Sequence, residues 1–320
     1  MTFALACASH TPMLMDETLA SAEVCNTVRQ SFQVMADFID AFAPDQIIQF
    51  SPDHFHGFHY GNMPSFCLGA AARSYGDWGT ATGALRVDED FALAVLDAVR
   101  AAQIDLSVSY DMLVDHGFVQ IWEAMWGSFT RYPIVPVFVN AIAHPLPGYR
   151  RARLLGEAIG RFAAQSGKRI LFAASGGLSH DPVVPMLAGA TPDVRDRLIG
   201  RSTPTAEQQA QRERQVRETA HAARKNAGPA QPLNPAWDQA LLDHLECSDW
   251  VFTDNLSTEE VSKVAGSGAN EALCWVAATA ALAAATPFRV VQKDYLAIPG
   301  WIAGMAHMTA IATGNEPLKA

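Results

Sequence analysis

Short apolar runs alternate with longer segments of helical periodicity over the first half of the chain. The runs end close to Pro, Gly or Ser and predict buried strands at residues 3–7, 46–50, 104–110, 134–140 and 169–174. The segments between them predict helices at residues 16–42, 88–102, 118–130 and 149–165. Because strand–helix–strand crossovers join parallel strands, the alternation predicts an α/β protein with a mostly parallel central sheet.

The same kind of periodicity predicts mainly helices between residue 235 and the tail of the chain. Helices are predicted at residues 235–246 and 258–265 and in the apolar run that follows Glu271. Asn270 is a good N-cap candidate for that last helix, which would put Glu271 in its first turn. The tail at residues 288–313 predicts a strand followed by a short helix.

Two stretches show no clear period. Residues 61–86 are rich in Gly, Ser and aromatic side chains and predict a loop with at most one strand. Residues 200–231 carry few apolar side chains and many charges of both signs, which predicts a mainly helical, solvated excursion. With that excursion included, we interpret residues 1–320 as a single domain.

Four of the ten histidines follow the ends of separate predicted strands: His10, His54, His116 and His180. In open α/β sheets, ligands bind at the carboxyl ends of the strands. For His54 and its neighbours alone, a loop of surface histidines is an equally good interpretation. The repetition favours one site built from several strand ends. His56, His59 and His144 receive no role, and His144 before Pro145 is most simply a turn residue.

Composition and charge restrict the class of protein. The 49% hydrophobic and 18% charged residues are typical of an ordered globular protein. A net charge of −10 without a basic stripe argues against nucleic-acid binding. The first residues do not form a signal peptide, no stretch is apolar enough to span a membrane, and five cysteines without CxxC spacing suggest reduced thiols in the cytoplasm.

The candidate site residues define the chemistry that we consider. Histidines with one carboxylate and no cysteine suit divalent iron, manganese or zinc, and two His with one carboxylate is the arrangement of non-haem Fe(II) oxygenases. Additional histidines can then act as acid and base. Glu271 also has a simpler interpretation, since an acidic first-turn residue is favoured by the helix dipole. The sequence contains neither a phosphate-binding Gly-rich loop nor a G-x-S-x-G elbow.

Ordered motifs along nearly the whole chain carry a family resemblance. They are Ser9-His10-Thr11-Pro12, Pro52-Asp53-His54, VSYDMLVDHGF at 108–118, PVFVNAIAHPLPG at 136–148, SGGLSHDP at 175–182, PLNPAWD at 232–238, NEALCWV at 270–276 and IPGWIAG at 298–304. With these segments, the sequence resembles the class III extradiol ring-cleaving dioxygenases, the superfamily of protocatechuate 4,5-dioxygenase.

The resemblance implies a fold, a cofactor and residue roles. It implies an α/β/α sandwich in which Fe(II) is held by His10, His54 and Glu271. It also implies His180 as the base that accepts a catechol proton and His116 as the acid that assists ring expansion. One departure lies at His59 and Gly61, where the family carries an aromatic and an acid, and it predicts a changed pocket wall.

The implied reaction is extradiol cleavage of a catechol, with both atoms of O2 entering the product. The preferred substrate is expected to carry a carboxylated side chain at the 3-position, as in 3-(2,3-dihydroxyphenyl)propionate or 2,3-dihydroxycinnamate. No Arg or Lys can be assigned to that carboxylate from sequence spacing. We also expect a homo-oligomer, whose subunit number no residue pattern defines.

Three alternatives stay open at this point. The first is cleavage of another substituted catechol, and the second is a hydrolase that holds zinc in the same His/His/Glu site and activates water. The third is a non-enzymatic member of the fold that serves as a binding module. The full set of five site residues argues against the binding module, and oxygen uptake with a catechol would separate the dioxygenase from the hydrolase.

Overall fold

The computed structural model describes residues 2–182, 186–225 and 227–313, which form a mixed α/β structure. Its strands are β1 (Phe3–Ala8), β2 (Gln46–Ser51), β3 (Phe66–Gly69), β4 (Ala72–Ser74), β5 (Gly83–Ala84), β6 (Ser107–Ser109), β7 (Met112–Val114), β8 (Ile134–Val139), β9 (Ile170–Ser175), β10 (Phe288–Ile298) and β11 (Ala303–Ala312). Its α-helices are α1 (Ala22–Phe42), α2 (Glu89–Ala101), α3 (His116–Trp126), α4 (Tyr149–Ala163), α5 (Pro192–Leu198), α6 (Ala206–Ala223), α7 (Pro235–Glu246), α8 (Trp250–Asp254), α9 (Thr258–Ala265) and α10 (Ala272–Ala285).

A central eight-stranded sheet has the order β10–β11–β1–β9–β2–β8–β3–β6. Its four middle strands, β1, β9, β2 and β8, run parallel, as the crossover argument predicts. On one side, β11 and β10 continue the sheet in antiparallel pairs. On the other, β3 is antiparallel to β8 and parallel to β6. The carboxyl ends of β1, β9 and β2 therefore meet at one edge of the sheet.

Three sequence predictions about strands were wrong or incomplete. In the tail, the helix predicted after the strand is only the single 3-10 turn Pro299–Trp301, and the chain then continues as a second strand, so that β10 and β11 pair along almost their whole length. Residues 61–86 hold three short strands, of which β4 and β5 belong to a separate three-stranded sheet with β7. The predicted strand at 104–110 is shorter, and the chain then passes from β6 in the large sheet to β7 in the small one. These pairings depend on distant partners, which local periodicity does not report.

The two faces of the large sheet contribute to two different hydrophobic clusters. From β1, Phe3, Leu5 and Cys7 join a cluster with α2, α4, α7 and α10. The alternate residues of the same strand, all alanines, join a second cluster with α1 and α3. Because strand side chains alternate between faces, this division shows that the middle of the sheet is covered on both sides. The aromatic side chains Phe118 and Trp122 of α3 lie in the second cluster.

Helix α10, which follows Glu271, lies unusually close to α4. A Cβ at Gly156 or Gly160 would overlap the backbone carbonyls of Ala277 and Ala281 in α10. The two glycines are four residues apart and so lie on one face of α4. Their missing side chains let the helices touch along their backbones, which fixes the start of α10 and with it the position of Glu271.

The charged stretch at 200–231 contains helix α6, which begins with a capping box at Thr205. Arg217 of α6 pairs with Asp16 at 2.6 Å, and the Arg224 guanidinium donates to the Thr18 carbonyl at 2.7 Å. These contacts attach the helix to the loop that follows β1. None of the helices in the described ranges has the length and apolar content that a membrane crossing requires.

Candidate active site

The five residues singled out in the sequence line one cavity. His10 follows β1, His54 follows β2, His180 follows β9, and His116 begins α3 directly after β7. The imidazole centroid of His10 lies 5.4 Å from that of His54 and 5.3 Å from that of His116. The His54 and His116 rings stack at 4.4 Å. The structure thus brings together side chains that lie up to 261 residues apart in sequence.

Glu271 stands in the middle of these imidazoles. Its Oε2 lies 3.7 Å from His10 Nε2, and its Oε1 lies 3.4 Å from Nε2 of both His54 and His180. The Gly177 backbone N–H donates to Oε2 at 2.7 Å. The carboxylate is almost fully buried. A buried acid that faces three imidazoles is not explained by the helix-dipole interpretation alone.

The predicted N-cap role of Asn270 was wrong. Asn270 lies inside the 3-10 helix Ser267–Glu271, and α10 begins at Ala272. The Asn270 side-chain amide donates to the Thr258 carbonyl at 3.2 Å and to Ser262 Oγ at 2.9 Å. These hydrogen bonds attach the turn that carries Glu271 to helix α9 and so help to position the Glu271 carboxylate.

The Nδ1 atoms of His10 and His54 are held on the side away from Glu271. His10 Nδ1 lies 2.9 Å from Ser175 Oγ, and His54 Nδ1 lies 3.0 Å from Asp115 Oδ2. Both rings therefore direct Nε2 toward the carboxylate. A histidine held at one nitrogen by a hydroxyl or carboxylate, with the other nitrogen directed at a common point, is typical of metal ligands.

Burial and charge set the ionisation of these groups. Burial lowers the pKa of His10 to about 3, against the opposing charge of Glu271, so its imidazole is neutral near pH 7. Burial acts on His54 in the same direction, but the charge and hydrogen bond of Asp115 outweigh it and raise its pKa well above the ordinary value. For Glu271, burial favours the neutral acid, yet the charge of His180 and the hydrogen bonds of His180 and His54 hold its pKa well below the usual range.

His116 is oriented by a carboxylate of its own. Asp77 Oδ2 lies 2.5 Å from His116 Nδ1, and Asp77 Oδ1 accepts the His116 backbone N–H at 2.8 Å. The other ring nitrogen, Nε2, is buried and has no hydrogen-bond partner among the described residues. It thus faces the cavity as an available polar atom.

The Leu178 carbonyl holds the His180 ring, and the buried carboxylate of Asp238 holds the loop beside it. Its Nδ1 lies 2.8 Å from the Leu178 carbonyl, which makes Nδ1 the protonated nitrogen of the neutral ring. Asp238 accepts the Ser179 backbone N–H at 2.7 Å and the Ser179 hydroxyl at 2.6 Å, fixing the loop. Gly177 and Gly268 leave the space that the imidazole occupies, since a Cβ on either would collide with it.

The donor set fits a divalent cation. One nitrogen each from His10, His54 and His116 lie within 4.8 Å of one another, and Glu271 Oε atoms lie beside the first two. These are imidazoles and a single carboxylate, the ligands that iron, manganese and zinc accept. The unpaired Nε2 of His116 adds a polar group that a metal-bound molecule can satisfy.

Several cavity residues were not identified from the sequence. His56, to which we gave no role, lines the cavity, and its Nδ1 lies 3.2 Å from Asp115 Oδ2. Trp78, Trp301 and Arg212 also line it. Asp115 could have been found from the sequence, because it immediately precedes His116. Arg212 could not, because it lies within the stretch that was interpreted as solvated.

Other residues do not line the cavity. His59 and Gly61 line a different cavity, together with Cys67 and Ile199, so the predicted change of the active-site wall at these positions was wrong. His144 is exposed in the turn before Pro145, as the sequence indicated. These positions serve as controls for the site.

Comparison with known proteins identifies the family. Residues 4–306 match the family model described as the catalytic LigB subunit of aromatic ring-opening dioxygenase. Proteins named 2,3-dihydroxyphenylpropionate/2,3-dihydroxicinnamic acid 1,2-dioxygenase are similar over nearly their whole length. That of Paraburkholderia phymatum is 44% identical over 310 residues, covering 97% of this chain and 98% of its own. One from Pseudomonas putida is 45% identical over 312 residues, covering 97% and 99%.

The relative from Rhodococcus jostii is 43% identical over 312 residues, covering 98% of this chain and 99% of its own. The resemblance seen in the sequence motifs is therefore confirmed. An oxygenase, rather than a metal hydrolase or a binding module, is the class of protein that these relatives support. The chain belongs to the LigB family of aromatic ring-opening dioxygenases.

Proposed function

We propose that this enzyme uses Fe(II) to cleave 3-(2,3-dihydroxyphenyl)propionate, and its cinnamate analogue, at an extradiol bond. The observation that carries the proposal is the buried group of His10, His54 and Glu271 inside one cavity. The relatives that share about 44% of the sequence are named for these substrates, which supports the choice of catechol.

His10, His54 and Glu271 are the proposed holders of the iron, because their Nε2 and Oε atoms converge while their other polar atoms are engaged. Two imidazole nitrogens and one carboxylate leave a divalent metal with positions open for further ligands. When bound, Fe(II) would supply coordination of the catechol oxygens and of O2 and a path for electrons between them.

His180 is the proposed base. With its proton on Nδ1 facing the Leu178 carbonyl, the neutral ring offers Nε2 to a catechol hydroxyl. Burial alone would lower the pKa of His180, but the charge of Glu271 outweighs it and raises that pKa above its ordinary value. An imidazole whose cation is stabilised in this way accepts a proton readily near neutrality.

His116 is the proposed acid. Asp77 holds Nδ1, so a protonated ring directs its second N–H, on Nε2, into the cavity. Burial raises the pKa of Asp77, but the charge and hydrogen bond of His116 bring it below its usual value, so the carboxylate is ionised. Because the Asp77 carboxylate holds the ring through Nδ1, a proton on Nε2 would be directed at an oxygen of the reacting ring.

Apolar side chains form the remaining walls. Met13, Trp78, Trp301 and Ile302 line the cavity beside the polar groups. Such walls hold an aromatic ring by burial of its faces and exclude bulk water from the proton transfers. Orientation of the ring is then left to the groups that meet its two oxygens and its side chain.

The same proposal includes the finer architecture and setting. Helices that join separate clusters on the two faces of the sheet support an α/β/α sandwich with the site at strand ends, in one domain with an excursion around α6. All five cysteines are free, four of them buried, which supports a reducing, cytoplasmic location. A homo-oligomer rests on the family resemblance, and sedimentation analysis would test it.

An oxygen electrode tests the proposed reaction. Protein loaded anaerobically with Fe(II) should consume one O2 per 3-(2,3-dihydroxyphenyl)propionate and form a yellow product, and Zn(II)-loaded protein should not. Replacing His10, His54 or Glu271 by Ala should remove most bound iron, whereas His59→Ala should retain it. Iron content unchanged in Glu271→Ala would remove this residue from the site, and a larger kcat/KM for unsubstituted catechol would contradict the substrate.

Variants of His180 and His116 test which histidine carries out which proton transfer. His180→Gln and His116→Gln should keep iron and lose roughly 10²–10⁴-fold in turnover. Anaerobic spectra should show that only His180→Gln fails to form the catechol anion. Normal anion formation in that variant, or its absence in His116→Gln, would reverse the two roles.

A further inference from the structure

A single strongly basic side chain enters the cavity from helix α6. Among the described residues that line the cavity, Arg212 is the only arginine or lysine. Val216, one turn further along α6, lines the same cavity, and Ala220, another turn on, is buried. Residues spaced by four share one face of a helix, so this face of α6 forms part of the cavity wall.

Helix α6 is fixed in place independently of Arg212. Arg217 and Arg224 of the helix bind the loop after β1, at Asp16 and at the Thr18 carbonyl. Near its start, the Tyr75 hydroxyl lies 3.4 Å from Gln209 Oε1. Arg212 therefore projects from a helix that is attached on both sides, rather than from a free surface segment.

Arg212 has no ionic partner of its own. No carboxylate among the described residues lies within 4.0 Å of its guanidinium, although many surface arginines of this chain are paired. Burial lowers the pKa of Arg212, and repulsion from Arg197 adds to this effect. An arginine nevertheless stays cationic in proteins, so the cavity contains a partly desolvated positive charge without a close counter-ion.

The carboxylates of the site already face its histidines. Glu271, Asp115 and Asp77 are buried around the histidines, and the chain as a whole carries −10. Because those carboxylates engage the histidines, a carboxylate on the substrate is left, among the described residues, with Arg212 as the unpaired basic group that lines the cavity. The guanidinium is the group best suited to this task, because its two parallel N–H donors match the two oxygens of a carboxylate.

We propose that Arg212 binds the side-chain carboxylate of the substrate while the catechol oxygens face His10, His54 and Glu271. This assignment rests on the proposed function and names the residue that selects acidic over neutral 3-substituted catechols. The carboxylate lies remote from the reacting ring carbons. Its contact is made equally in the bound state and in the transition state, so it affects KM more than kcat.

The test compares 3-(2,3-dihydroxyphenyl)propionate with its methyl ester, which lacks the charge. Dissociation constants are measured anaerobically with Fe(II)-loaded protein, so that no turnover is needed, and kcat and KM are measured under air. The variants are Arg212→Met, which keeps length without charge, and Arg212→Lys, which keeps charge without the planar fork. Arg214→Met is the matched control, since Arg214 is exposed two residues away on α6.

In Arg212→Met, binding of the acid should weaken about 10- to 100-fold, with KM rising in parallel and kcat changing little. The ester should be affected less than 3-fold, Arg212→Lys should fall in between, and Arg214→Met should match the wild type. An equal loss for acid and ester, or no loss for the acid, would overturn the assignment. Wild-type protein that binds the acid through Arg212 but consumes no O2 would refute the proposed function and leave the binding role standing.

Discussion

Asp115 connects the loop of His54 and His56 to the start of α3, and its replacement by Asn is the sharpest test of the proposed metal site. Its Oδ2 lies 2.6 Å from the His54 backbone N, 3.0 Å from His54 Nδ1 and 3.2 Å from His56 Nδ1, and its Oδ1 accepts the Gly117 N–H at 2.9 Å. Burial alone would raise the pKa of Asp115, but the charges and hydrogen bonds of His54 and His56 hold it well below the usual range.

An asparagine at position 115 cannot satisfy these donors. It offers one oxygen and one NH2, so whichever way the amide turns, its NH2 faces either the Gly117 N–H or the His54 donors. A buried donor left unsatisfied costs about 1–3 kcal/mol of folding free energy. Loss of the carboxylate that orients a ligating histidine typically costs 10- to 100-fold in metal affinity. We therefore expect both losses in Asp115→Asn.

Competition with a chromogenic chelator measures the metal affinity, and urea unfolding of the metal-free protein measures the free energy. Asp111→Asn is the control, because Asp111 is an exposed carboxylate paired with Arg73. Metal affinity within 2-fold of the wild type, at any stability, would refute the claim that Asp115 orients His54. A loss of affinity without a loss of stability would show that the amide finds partners, and would leave the orienting role intact.

Three further predictions use other parts of the structure. Gly268→Ala places a methyl group on the His180 imidazole and should lower turnover roughly 10²–10⁴-fold with iron retained, whereas Gly148→Ala, which meets open space, should not; an active Gly268→Ala would contradict the position of His180. Gly156→Ala forces α4 away from α10 and should lower the free energy of unfolding in urea by about 1–3 kcal/mol. An unchanged midpoint of urea unfolding would exclude this close packing. Burial lowers the pKa of His307 to about 4, so the stabilisation from its neutral form is complete above pH 6.5 and is lost as pH falls to 4. Between these pH values, the free energy of unfolding of the metal-free wild type should fall by roughly 3 kcal/mol more than that of His307→Gln. An equal dependence of the two free energies on pH would show that His307 does not contribute.

The sequence predicted the middle of the fold and the strand-end histidines for physical reasons. The strands β1, β2, β8 and β9 are buried on both faces, so their apolar runs are continuous, and the parallel arrangement brings their ends to one edge. His10, His54 and His180 then follow from chain position alone. Glu271 came from the family motif, because its place depends on how closely α10 packs against α4.

The sequence did not predict structure that depends on distant partners. The strand β11 is buried because it lies between β1 and β10, whereas its sequence, AGMAHMTAIA, falls in the part of the tail where a short helix was predicted. His56 resembles a surface histidine until Asp115 is seen beside it. In both cases, the decisive contact is with a residue more than 10 positions away, which no local period records.

Helix α6 shows why a binding residue can be hidden in a sequence that looks solvated. A helix that covers a hydrophobic core must show an apolar stripe, but a helix that covers a polar cavity is selected for what meets the ligand. On its inner face, α6 carries one arginine, one valine and one alanine, at 212, 216 and 220, and these three do not stand out among its charged neighbours. The charged residues that made the segment look exposed include Arg212, which lines the cavity and is the kind of group that a substrate carboxylate requires. A polar helix held by ion pairs over a cavity should therefore be searched for ligand contacts before it is assigned to solvent.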